Sequence, residues 1–182
     1  LFLGAIVALG LAACGSPFGG IVGPSAPCAV TNSQDAADAL VQRVASQSSA
    51  QGSTVTVTAN NQEVTSLMSQ YLHQAKEEEG GQAIPLQDPV ICFKTGSMAV
   101  FGKVNGWGIN SNALINVTPI ISGGRVNFQI QQIQLGPISA PPDMSTGISA
   151  LISNSFNREF NRLNITEISL QENQMRLSGT VR

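Results

Sequence analysis

The chain has 182 residues, 42% of them apolar and only 11% charged, and nine basic against eleven acidic side chains leave a formal charge of −2. That length supports one domain with a real core, while a charged fraction far below the usual ~25% leaves Asn, Gln, Ser and Thr to cover the surface. No basic cluster exists to meet phosphates, which removes nucleic acid as a partner class.

Residues 1–16 (LFLGAIVALGLAACGS) run apolar and glycine residues unbroken into Cys14. The run is shorter than the ~20 apolar residues of a spanning helix and fits the apolar region of a secretory signal. Its ending, Leu11-Ala12-Ala13-Cys14, resembles the bacterial lipoprotein box, which is cut just before its cysteine. The resemblance implies that residues 1–13 are a signal peptide and that Cys14 is the lipidated first residue of the mature protein. The absent Met and basic leader residues suggest that the natural start lies further upstream. Residues 14–29, rich in Gly and Pro and without charge, read as a lipidated flexible tether. Residues 30–182 then form a single α+β domain, held in the cell envelope on the extracytoplasmic side of a bacterial membrane.

With Cys14 acylated, Cys28 and Cys92 remain in an oxidising compartment. They either pair, stapling the tether to a strand, or stay two separate thiols; spacing alone does not decide.

Residues 33–46 form a helix by their pattern, with Ser33 as cap and Ala37, Leu40, Val41 and Val44 on one face. Alternation of Val and Thr over 53–58 gives a short strand. A second helix opens at Asn60 or Asn61 and runs to about Glu78, with Leu67 and Tyr71 in its apolar stripe and Gly80-Gly81 as its stop. His73, the only histidine, lies on its polar side and has no second ligand type at useful spacing. The run Glu77-Glu78-Glu79 reads as the solvated end of that helix.

From Ile84 the period changes to that of strands. Residues 90–94 and 97–104 make a hairpin turning at Thr95-Gly96. Trp107, in a Gly-rich turn, either inserts at a membrane interface or packs over the hairpin end. Strands 112–121 and 125–135 follow. In the second, Val126, Phe128 and Ile130 alternate with polar residues until the phase slips at Gln131-Gln132, the signature of a β-bulge in a long bent strand. The proline connector 136–142 leads into a helix from Met144 to about Leu163, with Asp143 as cap. Its stripe is Met144, Ile148, Leu151, Ile152, Phe156, Phe160 and Leu163, opposite a face of Ser, Asn, Arg and Glu. Strands 165–170 and 174–181 close the chain as a second hairpin.

The two hairpins match at a constant offset of 77 residues: Ile91 with Ile168, Phe93 with Leu170, Gly96 with Asn173, Met98 with Met175, Gly102 with Gly179. Each follows an amphipathic helix, so the chain either holds two copies of a helix-then-hairpin unit or has converged on ordinary hairpin chemistry. In both cases the fold class is α+β: a curved antiparallel sheet packed on one face by amphipathic helices, the longest near the C-terminus.

No nucleophile elbow, zinc-protease, P-loop or C-x-x-C motif is present, and the acids Asp88, Asp143, Glu159, Glu167 and Glu172 are scattered over caps, turns and polar faces. The expectation is a non-catalytic protein with no cofactor and no metal. The segments DPVICFKTGSMAVFGKV, GGRVNFQIQQIQLGPISAPPDM and ITEISLQENQMRLSGTV resemble the LmeA-type phospholipid-binding family of exported bacterial proteins, over residues 60–182. That family resembles the tubular lipid-binding superfamily, in which a curved sheet wraps a long helix around a lipid cavity. Polar Ser139 and the Ser- and Asn-rich helix face depart from that pattern.

Two functions follow. In the first, phospholipid or another acyl ligand lies in an apolar groove lined by Leu67, Tyr71, Val126, Phe128, Ile130, Ile148, Leu151, Ile152, Phe156 and Phe160. In the second, the core is filled and the protein is a structural or adaptor lipoprotein, binding another envelope protein through its Gln- and Asn-rich sheet face, with Gln129, Gln131 and Gln134.

Overall fold

The computed structural model describes residues 23–48, 50–78, 85–136 and 140–182. The signal segment 1–13, Cys14, Glu79, the Gly80-Gly81 stop and residues 137–139 of the proline connector, Ser139 among them, lie outside the described residues.

Helix α1 (Gln34–Gln47) starts where Ser33 accepts a hydrogen bond from the Ala36 N–H. Strand β1 (Thr54–Asn60) follows, ending two residues later than its Val/Thr alternation predicts. Asn60 ends that strand and caps helix α2 (Asn61–Glu78). Its Oδ1 accepts from the Glu63 N–H while the Glu63 carboxylate accepts from the Asn60 N–H, both at 2.9 Å, a reciprocal capping box. Arg43 of α1 reaches both Glu63 and the Thr58 carbonyl, tying the two helices to the strand edge. Hydrogen bonding to Glu63 raises the guanidinium pKa above its usual value.

Strands β2 (Leu86–Lys94), β3 (Ser97–Gly106), β4 (Ile109–Ser122) and β5 (Arg125–Gln134) form one antiparallel sheet in that order. The slip read at Gln131 is a bulge: Asn116 faces Gln132 and Val117 faces Ile130, leaving Gln131 as the extra residue. Helix α3 (Pro142–Glu159) then leads into β6 (Leu163–Gln171) and β7 (Gln174–Val181). These two pair with β1 in a second, three-stranded sheet of order β1-β7-β6. The α+β class and antiparallel pairing stand; the strands are divided between two sheets. Strand β6 runs across the hairpin ends of the larger sheet. The Gly96 N–H of the β2–β3 turn donates to the Leu170 carbonyl at 3.1 Å, and the Ile165 N–H donates to Gly124 of the β4–β5 turn at 3.0 Å.

Helices α2 and α3 share the greatest length, eighteen residues each. Asp143 lies in the first turn of α3, and Pro141 holds the cap position with no side-chain hydrogen bond. The helix stops at Glu159, so Leu163, expected in its stripe, opens β6 instead. A buried apolar residue serves either element there, which is why periodicity ran past the boundary. Trp107 packs on α3: a Cβ added to Gly147 would lie 2.8 Å from its Cζ2 atom. Glycine at that helical position makes room for the indole.

The internal match is structural. In β2–β3, Ile91 faces Val100 and Phe93 faces Met98; in β6–β7, Ile168 faces Leu177 and Leu170 faces Met175. Gly96 and Asn173, matched in the two turns, both have positive φ, +74° and +58°. Each hairpin also carries a bulge at the matched place, after Gln87 in one and after Ile165 in the other, opposite Gly102 and Gly179. Added Cβ atoms there would come within 2.9 Å of the Gln87 carbonyl and 2.6 Å of the Asn164 carbonyl.

The polar faces of the long helices are put to a use that periodicity does not reveal. On α3, Ser153 accepts from the Phe128 N–H, and Asn157 both accepts from the Val126 N–H and donates to the Val126 carbonyl. On α2, Thr65 exchanges bonds with Ile91, and Asn61 accepts from the Phe93 N–H. Helix side chains thereby meet the outer edges of the four-stranded sheet at Val126 and Phe128 and at Ile91 and Phe93, which hinders pairing with another chain there.

Cys28 and Cys92 are joined in a disulfide, with Cα atoms 5.9 Å apart. The segment before it, expected to be a free tether to residue 29, lies on the domain from Gly23, whose nearest neighbours are Asn112 and Ser111. Beyond Cys28 the segment follows α2, as Gln62 donates to the Thr31 carbonyl and Ser33 N–H donates to Ser66.

Candidate functional site

Ten side chains were expected to line an acyl groove, and the structure brings most of them together as the packed contact between α3, β5 and α2. Val126, Ile148 and Ile152 have no exposed surface, Phe128 and Phe160 keep 2%, Phe156 keeps 6% and Leu67 keeps 8%. A hollow of about 260 Å³ lies beside Leu67 and Phe160, edged by Leu40, Val44 and the turn after α3, but among the described residues the rings fill the space between α3 and β5. Phe128 meets Phe156 edge-to-face at 5.4 Å between centroids, and Phe156 stacks on Phe160 at 4.6 Å. Tyr71, Ile130 and Leu151 are half-buried around this cluster, with the Arg158 guanidinium 5.5 Å above the Tyr71 ring.

The sheet face proposed for an adaptor looks outward. Gln129, Gln131 and Gln134 are exposed, as are Asn127 and Gln132 between them. Across the ladder from Asn127 stands Ile120, 46% exposed.

A third region was not anticipated. His73 has no sequence neighbour suited to joint chemistry, yet the fold gives it several. The bulge in β2 projects Asp88 beside it, with the backbone at φ +48° and the following Pro89 buried. Ser69 lies one turn earlier on α2, and Asn32 of the N-terminal segment donates to its hydroxyl at 3.0 Å. With Leu72, Leu86, Gln87 and Pro89 they line a hollow of about 210 Å³. A second hollow of about 420 Å³ shares Asn32, Ser69 and His73 and extends along α2 to Gln70. Among the described residues the buried Nε2 of Gln70 has no hydrogen-bond partner.

Among the described residues His73 makes no hydrogen bond to Asp88 or Ser69, so the three are neighbours around a hollow and not a relay. No group of three His, Cys, Asp or Glu side chains gathers as a metal site among the described residues. The available signal for this cleft was Asp88-Pro89 ahead of Val90: proline inside a strand demands an edge or a bulge.

No protein-family model matches the chain, and no curated protein matches it.

Proposed function

We propose that this chain is a non-catalytic lipoprotein of the bacterial cell envelope, anchored through Cys14, whose filled domain serves as an adaptor for another envelope protein. The observation that carries this reading is the closed contact between α3 and β5: the side chains suited to hold an acyl chain already hold one another. The outward β5 row supplies the binding face, with exposed Ile120 at the end of the amide row beside the β4–β5 turn. The Cys28–Cys92 disulfide fits an oxidising compartment outside the cytoplasm. Nine residue steps lead from Cys14 to Gly23, so even a fully extended link keeps the start of β4 within roughly 32 Å of the membrane.

The test is intact-mass spectrometry of the protein released from membranes by mild detergent. The expected mass is the polypeptide from Cys14 with its acyl modification and no further lipid. A stoichiometric co-purifying phospholipid would overturn the filled-core reading in favour of the groove. In parallel, cross-linking to envelope partners is expected to fall when Gln129, Gln131 and Gln134 are replaced by Ala; unchanged cross-linking would remove the β5 face as the binding surface.

A further inference from the structure

The geometry points to a hollow at the end of α3, between the start of β5 and the end of β7, as a binding site for a phosphate group carried by a water-borne ester. Its chemistry depends neither on the lipid anchor nor on the β5 amide row; only the choice of carrier rests on the anchored reading.

The hollow measures about 260 Å³, and Arg125, Arg158 and Arg182 line it together with the amides of Asn154 and Asn161. These five side chains are exposed, so their donors are open to a ligand. No acidic side chain among the described residues lines it. The sequence contains no basic run, yet the fold gathers three of its nine basic residues here from three separate elements. Arg158 is engaged over the Tyr71 ring and sits in the last turn of α3, where a cation answers the partial negative charge of the helix end. Arg125 and Arg182 make no ion pair among the described residues. Arg182 Nη2 donates to the Gly124 carbonyl at 3.2 Å, which holds that guanidinium beside the first residue of β5. Cations facing one hollow repel one another until an anion lies between them.

Charge and shape select phosphate. Each guanidinium presents a planar fork of N–H donors that fits two oxygens at once. A carboxylate satisfies one fork and one charge. A phosphate monoester, with three acceptor oxygens and a charge of about −1.5 to −2 at neutral pH, satisfies two of each. A nucleic acid would need a row of such sites, and this is a single one.

The first helix-and-hairpin unit shows that the fold does not require this charge. In the second unit the Arg182 N–H donates to the Arg162 carbonyl at 2.8 Å; at the matched offset in the first, the Asn105 N–H donates to the Pro85 carbonyl at 3.0 Å. The same backbone bond ties the end of the last strand in both units, through uncharged residues in one and arginines in the other. Charge placed on one copy of a shared design points to a ligand at that copy.

Position selects the carrier. Gly23 lies against Ser111 and Asn112, near the start of β4. The hollow adjoins Gly124, just past the far end of that strand. Twelve residue steps lead from Asn112 to Gly124, a separation of up to roughly 40 Å along a strand. With the tether leaving at one pole, the arginines face away from the bilayer that holds it.

The experiment is isothermal titration calorimetry on the full chain in dodecyl maltoside, in phosphate-free buffer of low ionic strength. Glycerol 3-phosphate is expected to bind with about millimolar affinity or better, and acetate at the same concentrations to give no signal. Arg125→Gln and Arg182→Gln are each expected to weaken binding about tenfold or more, through loss of charge-assisted hydrogen bonds. Arg125→Lys is expected to weaken it by a smaller factor. Arg176→Gln, the same charge change at an exposed position on the strand of Arg182, is expected to leave it unchanged. Phosphatidic acid diluted into the micelles is expected not to compete. Absence of glycerol 3-phosphate binding up to about 10 mM overturns the proposal, as does acetate binding equally well. Binding that neither Arg125→Gln nor Arg182→Gln weakens overturns it too, as does equal weakening by Arg176→Gln, which would reflect net charge alone. Competition by phosphatidic acid overturns the water-borne carrier in favour of a lipid headgroup. No readout involves the β5 amide row or acylation of Cys14, so failure here leaves the adaptor reading standing.

Discussion

The helix-and-hairpin unit α2–β2–β3 and its counterpart α3–β6–β7 use one plan with different outcomes. Registers, turn conformations, bulge positions and opposing glycines coincide. In the second unit, the bulge is sealed by the β4–β5 turn. In the first, the bulge opens on a cleft, and the N-terminal segment is stapled beside it by a disulfide. The shared features maintain the fold, so the features that differ are where a function independent of folding can reside.

The largest expected effect isolates the staple. Replacing Cys28 and Cys92 with Ser frees a loop of 64 residues, for which the chain-entropy estimate is a loss of about 4 kcal/mol. Urea unfolding is expected to show that loss; a change below about 1 kcal/mol would mean that the strap adds little to the first unit.

The glycines opposite the bulges come next. In Gly179→Ala the new Cβ meets only backbone, the Asn164 carbonyl at 2.6 Å, whereas in Gly102→Ala it meets the Leu86 side chain at 2.7 Å and then the Gln87 carbonyl at 2.9 Å. Both substitutions overpack, in the ~1–3 kcal/mol range, with Gly179→Ala expected at the upper end. The reverse order in thermal unfolding would break the structural equivalence of the two bulges.

A smaller effect separates the two sheet edges. Asn157→Ala strips the β5 edge of partners for both polar groups of Val126, and Thr65→Val does the same for Ile91 on the β2 edge. Each is expected to cost about 1–3 kcal/mol. Amide exchange should accelerate at Val126 in the first variant and at Ile91 in the second, each without the other; exchange rising at both edges together would show that the helices do not protect them separately.

Much of this architecture was legible because local chemistry and tertiary role coincide. Gly96 and Asn173 announced turns needing positive φ, and the phase slip at Gln131 announced its bulge. Val126, Phe128, Ile148 and Phe156 were readable as one apolar set, but whether such a set encloses a void depends on how its side chains interlock, and periodicity carries no information on that. The separation into two sheets was hidden because β6 takes its place by crossing the ends of other strands, through bonds from Gly96 and Ile165 that span distant segments. The polar row Ser153 and Asn157 looked like a solvated face because amides and hydroxyls serve water and a sheet edge equally well. The His73 cleft was hidden because Asn32, Ser69 and Asp88 belong to three separate segments.

The central claim is that strain is held at the first bulge and not at the second, and unfolding of Asp88→Gly beside Thr166→Gly, at the unpaired residue of the second bulge, tests it directly. Glycine at Asp88 relieves a left-handed backbone and is expected to stabilise the protein by about 1 kcal/mol. Glycine at Thr166 loses a bond to Ser178 and loosens an ordinary strand residue, and is expected to destabilise it by a similar amount. Shifts of the same sign at both positions would contradict the account.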